Sequence, residues 1–300
     1  MSLFVFVALM AAMFYGVSIT LKKRVFTNTT IPSYSFSIFE TFVNLIFGII
    51  FIIIFKVEIF QHEQATILLI LAGIIYAITL IIYFYALEKD DAERISQLCS
   101  LEAVVTPVMA IIILNETASI DSYLGVTLII IALLVLSIEK SIVKVLDNVK
   151  TSLIPIGIAL ILWSLDDILI KWSLEFVDFI YVYFWVRLAS FVTLGLLFGL
   201  HPKSRKQTKR VYTDLVNKKL YVFLTATIFS SVGMFLTIIA YSMDNLSLVV
   251  PIVATYSLFV IVFVHIEAKI FGNKIESQAP IWKRAISGLL FITGILLITV

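Results

Sequence analysis

The stretch Ser33–Phe55, SYSFSIFETFVNLIFGIIFIIIF, decides how the rest of the chain is read. Its almost unbroken apolar character is long enough, as a helix, to cross the roughly 30 Å of hydrocarbon in a bilayer. A membrane-spanning strand would alternate apolar and polar residues, and residues 48–55 do not. Ser33, Ser37, Glu40, Asn44 and Gly48 recur at spacings of four, three, four and four. That spacing keeps them on one helical face, leaving Phe47 and much of residues 49–54 for the lipid side. A carboxyl at such depth costs about 2.5–3.5 kcal/mol to insert, so Glu40 needs a partner or a task. The segment reads as a transmembrane helix with a polar face turned toward other protein.

The same reading extends in both directions. Ten apolar runs of spanning length are expected, at residues 3–21, 33–55, 66–86, 95–114, 121–138, 153–170, 176–200, 220–243, 248–270 and 285–300. The fold class is therefore an all-α integral membrane protein. Composition agrees: 61% of the 300 residues are hydrophobic and 14% charged, against about 45–50% and about 25% in soluble domains. The segment 201–219 is the longest connection and strongly basic, and is expected to include a helix lying on the membrane surface. A net charge of +2, without basic clusters interleaved with aromatics, points to no nucleic-acid partner. Cys99 is the only cysteine, and His62, His201 and His265 are far apart, so no metal site or cofactor is expected.

Charge sets the orientation. Of the 22 Lys and Arg, 19 fall in the loops after spans one, three, five, seven and nine, counted with the adjoining helix ends. The positive-inside rule then places those loops in the cytoplasm and both termini outside, in a cell membrane. No basic residue precedes run 3–21, and Lys22, Lys23 and Arg24 follow it. It reads as a first helix rather than a cleaved leader.

The two halves resemble each other at a separation of about 150 residues. Tyr15 with Lys23 eight residues on matches Trp163 with Lys171 eight residues on. Glu40 falls opposite Arg187, Tyr85-Ala86-Leu87 opposite Tyr241-Ser242-Met243, and Glu116 opposite Glu267. Repeats over 1–145 and 146–300 with five spans each would enter the membrane in opposite senses, the inverted plan of many secondary transporters. The run from Tyr85-Ala86-Leu87 through Pro107 and Asn115-Glu116 to Gly125 resembles the EamA-type repeat of the drug/metabolite transporter superfamily. The second copy, from Tyr241-Ser242-Met243 through Glu267 to Gly288, is looser. The resemblance implies ten helices around a central cavity, with export or exchange of small metabolites by alternating access. Glu40 stands where that repeat often has arginine, which weighs against an anionic cargo.

Five ionisable residues fall well inside the runs: Glu40, Glu102, Asp166, Asp167 and Arg187. Their surroundings repeat the polar-face design, with Ser96, Cys99, Glu102, Thr106 and Ala110 in the fourth span and Tyr183, Arg187 and Ser190 in the seventh. Trp163 and Asp167 share a face, with Asp166 turned about 100° away. Candidate substrate-binding residues are Tyr15, Glu40, Asn44, Tyr83, Glu102, Trp163, Asp166, Asp167, Arg187 and Tyr241; Tyr76 and Trp185 are further cavity aromatics. The alternative reading makes the small polar residues helix glue, Glu40 and Arg187 a structural ion pair, and Glu116 and Glu267 helix-end ties. Lys171 is expected to snorkel to the headgroups. Pro107 and Pro251 free backbone carbonyls within the fourth and ninth spans, as a hinge, a site or simple kinks. Together these point to a transporter of a small metabolite, with an amino acid or organic amine preferred and a proton as possible coupling ion. The protein would act as monomer or homodimer in the bilayer. A proton-coupled cation or multidrug exporter is the alternative. An integral membrane enzyme or a receptor is the reading from another class.

Overall fold

The structure, a computed structural model, describes residues 2–28, 33–137, 142–200, 220–271 and 281–299. Among them all regular structure is helical. In chain order the helices are α1 (Leu3–Asn28), α2 (Ser33–Phe55), α3 (Glu63–Lys89), α4 (Ala92–Cys99), α5 (Glu102–Ile113) and α6 (Ile120–Ser137). They continue with α7 (Ile142–Ser173), α8 (Phe179–Leu200), α9 (Leu220–Met243), α10 (Leu246–Val253), α11 (Tyr256–Phe271) and α12 (Ile281–Thr299). Seven stretches among the described residues are long and apolar enough to cross a membrane, and Ile120–Val135 and Ile286–Ile298 are shorter apolar helices. The basic segment 201–219 lies outside the described residues.

The polar faces expected from spacing are the faces that pack. On α2, Ser33, Ser37, Glu40 and Asn44 are all buried, while Ile53 and Ile54 are about two-thirds exposed to the lipid side. Ser96, Cys99, Thr106 and Ala110 on α4 and α5, and Tyr183, Arg187 and Ser190 on α8, are buried in the same way. Bilayer lipid is as apolar as leucine, so helix association relies on close packing and hydrogen bonds instead of apolar burial. Two buried apolar clusters stack toward opposite ends of the bundle. One joins Phe4, Val5 and Ala8 of α1 to Ile238 and Tyr241 of α9. The other joins Ile19, Val25 and Phe26 of α1 to Val222 and Phe223 of α9.

Two expected spans are broken. Residues 92–113 divide into α4 and α5 at Ser100 and Leu101, and residues 246–271 into α10 and α11 at Ala254 and Thr255. Both breaks tighten into i→i−3 hydrogen bonds: Leu101 to Leu98, Ala103 to Ser100 and Val104 to Leu101 in one, Thr255 to Ile252, Ser257 to Ala254 and Leu258 to Thr255 in the other. The pattern recurs bond for bond 154 residues later. Neither break falls on a proline: Pro107 lies inside α5 and Pro251 inside α10.

Helices of the two halves interleave. α1 runs along α9, α3 along α7, α2 against α8 and α6 against α12. At the last crossing the backbones touch. A Cβ on Gly125 would meet the Gly294 carbonyl at 2.5 Å, and one on Gly294 would meet the Gly125 carbonyl at 2.7 Å. Gly288, matched to Gly125 by sequence, has open space around it. The close approach at this crossing is between Gly125 and Gly294.

Candidate functional site: a central polar cavity

Between the two apolar clusters lies a cavity of about 120 Å³, room for several waters or part of a small ligand. Its wall comes from both halves of the chain, from α1, α2, α3, α5, α7, α9, α10 and α11. Of the residues predicted from sequence, Tyr15, Glu40, Tyr83, Glu102, Trp163, Asp166, Asp167 and Tyr241 line it, as does Tyr76.

On α7, Trp163, Asp166 and Asp167 follow the ordinary helical screw, yet the cavity reaches both acids. The expectation that Asp166 turns away is corrected by the width of the wall, which spans more than 100° of the helix. Asp167 shares this wall with Glu102 and Tyr241. Asp166 is buried, and its Oδ1 has no hydrogen-bond partner among the described residues. The aromatic part of the wall is built of contacts. Tyr83 and Trp163 pack with ring centroids 5.4 Å apart, Tyr15 meets Tyr256 edge-on at 6.2 Å, and the Tyr15 hydroxyl donates to Met234 Sδ at 3.3 Å.

Lys22 is the cation that sequence reading missed. The sequence places it in the basic loop after the first span, but α1 continues to Asn28 and buries it. Its Nζ donates to Glu40 Oε1 at 2.6 Å and to Ser230 Oγ at 3.0 Å. A signal was present: Lys22 stands seven residues after Tyr15 and four after Ser18, the spacing of one helical face.

Two predicted residues lie outside the cavity wall. Asn44 is buried on α2, where its side-chain oxygen accepts a hydrogen bond from Ser231. Arg187 is fully buried on α8 but does not pair with Glu40. Its guanidinium is clasped by aromatic faces, with the Tyr76 ring centroid at 4.4 Å and that of Tyr183 at 5.2 Å. Tyr76, which also lines the cavity, stands between the two. Trp185, also expected there, donates instead to the Ile59 carbonyl at 3.0 Å.

Helix ends are tied twice in one manner. Lys23 Nζ donates to the Leu87 and Asp90 carbonyls at 3.0 and 2.7 Å, closing the C-terminus of α3. Lys171 Nζ donates to the Tyr241 and Asp244 carbonyls at 2.7 and 2.8 Å, closing the C-terminus of α9. Lys171 therefore caps a helix and does not snorkel, since four unsatisfied carbonyls at a helix end attract a cation. Glu116 accepts from the Leu246 and Ser247 amides, both at 2.8 Å, and caps the start of α10. Glu267 pairs with Arg24 at 3.4 Å. A second, polar cavity of about 400 Å³ opens beside the Lys171 and Glu116 ties, and Tyr241 lines both cavities.

Fold and cavity together define a multi-pass, all-helical membrane protein with a buried polar chamber. Residues 2–138 match the model of the EamA-like transporter family, a family of transporters, over the first half of the chain. An uncharacterized protein of Methanocaldococcus jannaschii is 27% identical over 136 residues, which are 45% of this chain and 97% of that one. A solved crystal structure shares the fold at a TM-score of 0.70 over 99% of this chain and 95% of its own, with 12% sequence identity.

Proposed function

We propose that this chain is a secondary transporter that moves a small amino-bearing metabolite, an amino acid or organic amine, by alternating access. It acts as an exporter or exchanger in the plasma membrane, as monomer or homodimer, with a proton as the coupling ion. The observation that carries this reading is the cavity wall. Lys22 and Glu40 neutralise each other there, which leaves Glu102, Asp166 and Asp167 facing the chamber with no further cation among its lining residues. Such a chamber attracts a positively charged group and can hold a proton.

Ten spans in two inverted repeats, 1–145 and 146–300, are the architecture behind it. The recurring helix breaks support this, as do the two lysine ties, whose acceptors also advance by 154 residues. Tyr15 bonds Met234 while Lys22 bonds Ser230, so α1 and α9 run antiparallel and the two ties sit at opposite ends of the bundle. An archaeal relative of about half this length, matched almost end to end, fits a repeat that also exists alone. The Lys/Arg bias supports termini on the outer side.

A proton-coupled exporter of cations or drugs is the second reading, favoured by the same excess of acid and by the Tyr83–Trp163 aromatic wall. Counterflow of labelled amino acids and amines in proteoliposomes, with and without a pH gradient, tests both. Gradient-driven flux is expected from the wild type. It should vanish in Asp167→Asn, with the protein still folded, and weaken in Asp166→Asn. Full gradient-driven activity in Asp167→Asn would remove that residue from the mechanism, and no flux of any substrate above empty liposomes would sink the transport reading.

A further inference from the structure

The ammonium of Lys22 has three N–H donors. One goes to Glu40 Oε1 and one to Ser230 Oγ, and the Phe84 ring centroid lies 5.3 Å from the nitrogen. Ser230 in turn donates to the same Glu40 oxygen at 3.1 Å. The other oxygen, Glu40 Oε2, is buried and has no hydrogen-bond partner among the described residues. An ion pair taken out of water is stable in its own right only when the remaining lone pairs are also filled. This pair is engaged end-on through a single oxygen, and both of its members line the cavity.

What Glu40 holds is an alkylammonium, gripped by a carboxylate, a hydroxyl and an aromatic face. We propose that this is the ammonium site of the cargo, that Lys22 fills it while the carrier is empty, and that a cargo bearing a primary ammonium displaces the lysine from Glu40. The recognition chemistry works through N–H donors to Glu40 Oε1, Glu40 Oε2 and Ser230. It selects primary amines over quaternary ammonium groups, which have no N–H to give. An aromatic cage alone would accept both, because cation–π attraction does not need a proton donor. The proposal rests on the transport reading only in calling the amine a cargo.

Binding of n-butylammonium and of N,N,N-trimethylbutylammonium to purified full-length protein tests it without any transport step. The variants are Lys22→Met and the double Lys22→Met/Glu40→Gln. Methionine fills the space of the lysine stem without its charge, so an added amine reaches Glu40 only through the cavity. In Lys22→Met, n-butylammonium should bind about tenfold tighter or better than in the wild type, since its built-in competitor is gone; that is about 1.4 kcal/mol. The trimethyl compound should gain nothing, and the double variant should lose the primary amine. The double variant removes both charges together, strands neither, and remains measurable if the single variant fails to fold. Undiminished n-butylammonium binding in the double variant overturns the proposal, as does an equal gain for both compounds in Lys22→Met, or binding to neither the wild type nor Lys22→Met. Loss of flux with these binding results intact would instead count against the transport reading.

Discussion

Glu40 on α2 and Arg187 on α8, which the sequence expectation sets opposite each other, have surroundings that differ in kind. Glu40 meets a lysine from α1 and a serine from α9 at the wall of the cavity. Arg187 meets two tyrosine faces and is sealed behind one of them. Lys22 is the cause of the difference. The first half supplies a cation four residues after Ser18, whereas on α7 the position seven residues after Trp163 is Ile170, between the acids Asp166 and Asp167 and the cap Lys171. An acid with a cation beside it can stay charged next to a chamber. A guanidinium without a carboxylate needs the diffuse negative faces of aromatic rings, and its weak hydration makes that exchange tolerable.

The largest effect should come from splitting the Glu40 pair. Lys22→Met or Glu40→Gln alone leaves one buried charge uncompensated and should cost about 3–5 kcal/mol, while the double variant recovers most of it. Thermal unfolding in detergent reads this. Exchanging the charges of Glu40 and Arg187, as Glu40→Arg with Arg187→Glu, should rescue nothing, and recovery by that exchange would mean that the two residues are partners after all. On the Arg187 side, Tyr76→Leu removes the nearer ring and should destabilise by about 2 kcal/mol, the value of a desolvated cation–π contact. An unmoved midpoint would show that the guanidinium is balanced elsewhere. The smallest effect is expected from Tyr183→Phe, which keeps the ring and removes a hydroxyl that has no hydrogen-bond partner among the described residues. A shift within about 0.5 kcal/mol fits a clamp made by faces; a loss above that would assign the hold to the hydroxyl.

Sequence alone determined where the helices run and which of their faces turn inward, because both depend on local hydrophobic length and on a period of 3.6 residues. Bounds 33–55 and 220–243 coincide with α2 and α9, and eight of the ten candidate site residues line one chamber. Only the tertiary structure decided the partners. Lys22 looked like loop charge until α1 was seen to continue past it, and Arg187 looked like its mate's counter-ion until tyrosines from α3 and α8 enclosed it. That Gly125 meets Gly294 follows from the helix crossing alone and is not marked in the sequence. The broken spans tighten into i→i−3 bonds around residues 100 and 254, not at their prolines. Each of these is a question of which surface lies next to which, and residues far apart in the chain carry no periodic signal of one another.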